Sequence, residues 1–274
     1  MRGSITAELL VLRKRVSTWI LLGIWIVLAL AFSYLLPWLT YRNSLGTATP
    51  LPLAPMLPQS IVSVLLGGFP FYGGALALML GVLSIGSEYG WDILKTLFTQ
   101  GPSRLRLFAA KLAALGIALI PFVLLVFAFG AICSMLIAGA EHAAITWPGA
   151  WVLVRALLAG WFILAVWTAL GLLLAVLTRG TSLAIGCGIL WMLIVEGLVS
   201  ALFNESSLLR PVVKIFIRAN AYSLGKPLGA VVAGGPGTFA GPYVGATQAL
   251  FVLALYFCGF ILLGALVLRR RDVT

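Results

Sequence analysis

Residues able to do polar chemistry are few in this chain. Its single histidine, His142, stands beside Glu141. One histidine cannot build a His-based multi-ligand zinc site, and no His-Glu-x-x-His pair is present. No Gly-x-Ser-x-Gly elbow presents a nucleophilic serine. Gly225-Lys226 would end a phosphate-cradling loop only with glycine at 220 and Ser or Thr at 227. Asn220 and Pro227 stand there instead, so no nucleotide site of the chain's own is recognisable. Cys133, Cys187 and Cys258 lie singly in apolar runs and read as small buried hydrophobes, not as disulfides or metal ligands. Neither a catalytic set nor a metal site assembles from these residue types. The expectation is a protein that is not an enzyme and binds no cofactor itself.

Two charged groupings remain. Glu196 is the only acid well inside an apolar run. A carboxylate at mid-bilayer costs about 2.5–3.5 kcal/mol on insertion scales. Either it lines a polar cavity or meets a cationic substrate, or it sits near the outer end, paired with Arg155 or held protonated. Arg210, Lys214 and Arg218 recur at every fourth residue, and this spacing predicts one helical face resting on the outer membrane surface or lining an exit. Pro211 suits the first turn of such a helix.

The elements that position these groups follow from composition. Hydrophobic residues make up 62% of the 274 and charged residues 9%, against about a quarter charged in a soluble domain. Residues 16–41, 43–87, 112–140, 156–178 and 227–268 carry no charge at all. Each run is continuous rather than alternating and holds the roughly 20 apolar residues that span a bilayer as a helix. The fold class is therefore an all-α integral membrane protein, one domain over 1–274. About six spans are expected, near 17–39, 61–85, 107–137, 151–177, 183–203 and 247–268. The apolar stretch behind Arg13, Lys14 and Arg15 exceeds the ~7–15 residues of a signal h-region, so the first span is expected to be an anchor.

The net charge of +11 does not call for nucleic acid here, because the basic residues flank apolar runs. With the N-terminus inside, twelve Lys and Arg face the cytoplasm and six face outward, which puts both termini in the cytoplasm. Three segments lie between the spans. Residues 1–16 hold Ile5, Leu9, Leu12 and Val16 at helical spacing, with Glu8 and Arg15 off that stripe. They read as a helix lying in the membrane surface, the alternative being a disordered basic tail. Residues 87–111 form the most polar stretch, with one or two helical turns expected at 92–98. Residues 204–246 end in a Gly- and Pro-rich stretch. There Gly237, Gly241 and Gly245 serve either helix packing or, given Pro236 and Pro242, irregular backbone suited to a re-entrant outer element.

The loop from Ser87 through Glu88, Asp92, Lys95, Gly101-Pro102-Ser103-Arg104 to Lys111 resembles the loop after the second span of ABC-2-type permeases, the membrane subunits of bacterial ABC exporters. The opening Glu8-Leu9-Leu10-x-Leu12-Arg13-Lys14-Arg15 ahead of a Trp-containing span is similar to their start, whereas Trp91-Asp92 departs from their common Gly-Thr pair. The resemblance implies a multi-pass subunit of a bacterial plasma membrane that pairs with a second permease subunit, identical or homologous. It also implies two copies of a cytoplasmic ATPase that hold the ATP and Mg. Glu88, Asp92 and Arg104 would couple to that ATPase, and the cargo would be hydrophobic or amphipathic, such as a drug, peptide or lipid. From the residues alone two further classes stand: a membrane-embedded scaffold or resistance factor that binds a partner without transport, and a secondary transporter.

Overall fold

The computed structural model describes residues 2–47, 49–90, 104–198, 210–229 and 244–270. Helix α1 covers Arg2–Lys14, and the chain turns at Arg15, whose backbone is extended. There follow α2 (Val16–Ser44), α3 (Pro58–Tyr89), α4 (Arg104–Ala140), α5 (Ala150–Thr178), α6 (Ser182–Leu198), α7 (Arg210–Val213), α8 (Ile217–Gly225) and α9 (Ala246–Arg270). Among the described residues there is no strand. Helices α2, α3, α4, α5 and α9 are long and apolar enough to cross a bilayer, which is the make-up of a multi-pass membrane protein. The apolar α6 is shorter than these five. The expected fifth span reached 203, and 199–203 lie outside the described residues.

Helix α5 is the most buried of the long helices and α9 the least. The bundle is built around α5 and α3, which meet backbone to backbone. A Cβ added at Gly81 would overlap the Thr168 carbonyl oxygen, and one added at Gly171 would overlap that of Leu78. Thr168 Oγ1 donates to the Ala77 carbonyl across the same seam at 3.1 Å. Small residues let helices approach this closely where lipid supplies no hydrophobic drive for their association. Close approach also occurs at Gly73, Gly74 and Gly188, whereas nothing lies near Gly186. On the outside, Phe251, Leu136, Leu255 and Val27 are exposed, the surface of a bundle whose solvent is hydrocarbon. Exposed Trp19 lies near one end of the bundle and Trp147 and Trp151 near the other, as interfacial aromatics do.

Among the described residues three helices contain a π turn, at Ala31–Leu35 in α2, Phe69–Gly73 in α3 and Trp191–Leu198 in α6. In α3 the cause is local. Pro70 has no N–H to give, and the hydrogen-bond ladder widens around it. In α6 the five-residue repeat matters to side chains. Residues i and i+5 lie about 140° apart on an α-helix but stack when bonds run i to i+5. Trp191 and Glu196 stand in that relation, and the indole Nε1 donates to Glu196 Oε1 at 3.0 Å.

The fold corrects three expectations. Cys187 and Cys258, read as small buried hydrophobes, are exposed on the bundle surface. Helix α1 forms, but Glu8 turns toward the bundle while Val16 belongs to α2 and is exposed. The reason is a buried ammonium on α4 that a carboxylate must meet. The segment 210–218 is not one helix. It breaks after Val213 and restarts at Ile217 behind Phe216, whose φ of −62° and ψ of 146° are extended. The expected turns at 92–98 and the glycines at 237 and 241 lie outside the described residues.

Candidate functional site: two nodes of buried charge

The first node lies at the end of the bundle that carries α1. Lys111 stands seven residues into α4, about 10 Å along the helix, and is 4% exposed. Its Nζ donates to Glu8 Oε2 at 2.7 Å, to Glu88 Oε1 at 2.7 Å and to the Ser84 carbonyl at 3.1 Å. An ammonium has three donors, and these contacts use three. Arg15 Nη1 donates to the Leu83 carbonyl at 2.6 Å, one turn before Ser87. Glu8, Glu88, Lys111 and Arg15 thus bring together two charges of each sign. The arrangement joins α1, the end of α3 and the start of α4, so it clamps both flanks of the polar segment 87–111.

The second node lies toward the opposite end. Glu196 is fully buried. Besides the indole of Trp191, its Oε1 accepts the Ile217 N–H at 3.1 Å and its Oε2 the Arg218 N–H at 2.8 Å. These are the first two amides of α8, orphan donors at a helix N-terminus, and Phe216 contributes no side-chain cap. A carboxylate from another helix therefore caps α8, where the helix dipole favours negative charge. The Arg218 side chain is 3% exposed. It donates to the Met192 carbonyl at 3.3 Å and lies over Phe71, 5.2 Å from the ring centroid. Asn220 Nδ2 holds the preceding turn through the Lys214 and Phe216 carbonyls, each at 2.8 Å. Helix α8 is buried along its length and packs on α9 and on the Ile61–Gly73 part of α3.

The expected residues fall into these nodes unevenly. Glu88 is in the first. Arg104 opens α4, half-buried, and Asp92 lies outside the described residues. Glu196 and Arg218 meet in the second node, so Arg218 is not part of an exposed outer face. Lys214 is exposed in the turn between α7 and α8, and Arg210 opens α7. Arg155, weighed as a partner of Glu196, lies over the Trp151 ring, 4.9 Å from its centroid. Glu8, Trp191 and Phe71 were not singled out as site residues by sequence reasoning. For Glu8 a signal existed, since it is the only acid ahead of the first apolar run.

The fold and its charge placement define a polytopic helical membrane protein with a buried ion-pair cluster near one end and a buried, hydrogen-bonded carboxylate near the other. The chain belongs to the family described as protein of unknown function DUF2705, whose model matches residues 61–274. No curated protein matches it.

Proposed function

We propose that this chain is the transmembrane subunit of an ATP-driven exporter of the ABC-2 type, moving a hydrophobic or amphipathic substrate with a separate cytoplasmic ATPase. The observation that carries the reading is the clamp of Glu8 and Glu88 on Lys111. A push on the segment 87–111 enters the bundle through both of its flanks at once, and through α1 as well. Packed elements of this kind move between discrete arrangements rather than bending. Glu88, Asp92 and Arg104 are the residues through which an ATPase would act, and Mg and ATP belong to that partner. In this reading α6 continues beyond Leu198 as a sixth span, both termini are cytoplasmic, and α7 and α8 belong to a re-entrant outer element. Two such subunits pair in a bacterial plasma membrane. The burial of the short helix α8 against α3 and α9 supports the re-entrant assignment, because a short element at membrane depth needs protein around it.

The sidedness is checked by Ser103→Cys and Ser207→Cys, placed singly in a chain lacking Cys133, Cys187 and Cys258. An impermeant maleimide should label position 207 from outside intact cells and position 103 only after permeabilisation. Labelling of both from outside overturns the six-span arrangement. The function is checked by gentle purification from the native host together with export assays. A nucleotide-binding subunit should co-purify, and export should stop when ATP is depleted. If none co-purifies and export persists on an ion gradient alone, the chain is a secondary transporter. If nothing is exported under either condition, it is a scaffold.

A further inference from the structure

A groove of about 590 Å³ runs between α2 and α4, lined among others by Val27, Tyr34 and Trp38 from α2 and by Cys133, Leu136 and Ala140 from α4. That volume is in the ~300–1,000 Å³ range of ligand sites. The lining is apolar almost throughout, and Tyr34, 2% exposed, forms its floor. The π turn Ala31–Leu35 contributes Ala31 and Leu35 to the same wall.

Two features decide what such a groove would hold. The first is its length. From Val27 to Trp38 is eleven residues of helix, about 16 Å, roughly half of a ~30 Å hydrocarbon core. Val27 itself lies eleven residues into a helix that begins at Val16. The groove therefore runs from near mid-bilayer to one surface, the depth of one leaflet. A partner helix would lie along the whole bilayer thickness, so one leaflet's depth fits an acyl chain better. The second feature is the rim. Arg42 lies over the Trp38 ring, 5.7 Å from its centroid, and its Nη1 donates to Glu141 Oε1 at 3.0 Å. Trp38 Nε1 donates to the same carboxylate oxygen at 3.1 Å. The Arg42 side chain is 53% exposed and that of Glu141 is 11%, so the rim presents its cation outward and keeps its anion tucked behind. A guanidinium has five donors in a planar fork that matches phosphate oxygens.

We propose that this groove binds one acyl chain of an anionic phospholipid from the leaflet at the Arg42 end, with the lipid phosphate on the Arg42 guanidinium. This assignment stands apart from the transport reading. It requires only that α2 and α4 cross the membrane.

The test uses the full chain, exchanged into bilayer discs of equal phosphatidylglycerol and phosphatidylcholine, then released gently and weighed by native mass spectrometry. One phosphatidylglycerol per chain should be retained several-fold over phosphatidylcholine. Arg42→Gln should level the two lipids. Glu141→Gln, which keeps an acceptor for the Trp38 indole and removes the competing charge, should raise phosphatidylglycerol retention. Leu136→Trp, at a lipid-facing position 68% exposed, should fill the groove and release the lipid without lowering the melting temperature. Equal retention of both lipids by the unaltered chain overturns the proposal, as does retention indifferent to Arg42→Gln and Leu136→Trp. Disulfide dimers formed by Leu136→Cys in a membrane would overturn it too, by giving the groove to a second copy.

Discussion

Glu196→Leu is expected to destabilise the protein by about 3–5 kcal/mol, the range for breaking one side of a buried charge arrangement. Leucine would leave three donors without their acceptor, namely the Trp191 indole and the Ile217 and Arg218 amides. Each buried unsatisfied donor costs about 1–3 kcal/mol, and the Arg218 guanidinium nearby would lose the attraction of this carboxylate. Glu196→Gln keeps one carbonyl oxygen for these donors and should lose less. Thermal unfolding of the purified chain reads the difference. Hydrogen exchange locates it, since the amides of Ile217 and Arg218 should exchange faster in the leucine variant while the centre of α5 stays protected. A leucine variant that melts with the parent and keeps those amides protected would leave Glu196 without a structural role.

The second large effect is at Lys111. Lys111→Met leaves Glu8 and Glu88 facing one another with only Arg15 to offset them, again a loss of about 3–5 kcal/mol. For a chain of this size that lowers the melting temperature by on the order of 10 °C. The triple variant Glu8→Gln, Glu88→Gln, Lys111→Met should recover much of it, because both uncompensated carboxylates are removed with the ammonium, and Arg15 keeps its bond to the Leu83 carbonyl. Recovery identifies the loss as electrostatic rather than steric. A triple variant no better than Lys111→Met would mean that the lysine stem, not its charge, holds the three helices. A small loss in all variants would put the cluster at a solvated rim, where such pairs contribute about 0–1 kcal/mol.

The long helices were legible because bilayer thickness sets a length that uncharged runs either meet or fail. The break at Phe216 was not, because spacing of four between Arg210, Lys214 and Arg218 is satisfied equally by a continuous helix and by two short ones with a turn between them. What decides is Glu196, about twenty positions away, which offers a cap only to a helix that starts at Ile217. The same acid was readable as unusual, but its partners are backbone amides, which every residue has and no sequence marks. At the other node Glu88 and Lys111 stood out as charges bordering apolar runs. That Glu8 would turn inward was hidden because it reads as lying off the stripe of Ile5, Leu9 and Leu12, whereas Leu12, one helical turn on, is buried in the bundle on the same side. The π turn of α6 escaped the helical pattern too, since a five-residue repeat places Trp191 and Glu196 together where 3.6 places them apart.

The seam at Gly81 and Gly171 bears on mechanics. Side chains between two helices act as bearings: they change rotamer and let one helix slide or roll over the other. Where carbonyls of α3 and α5 sit directly on glycine α-carbons, there are no bearings, and sliding by one residue would drive a Cβ into a peptide group. The two helices therefore travel as a single stiff beam. Any rearrangement of this protein leaves the beam intact and is taken up by α2, α6 and α9, which lean on it through deformable side chains.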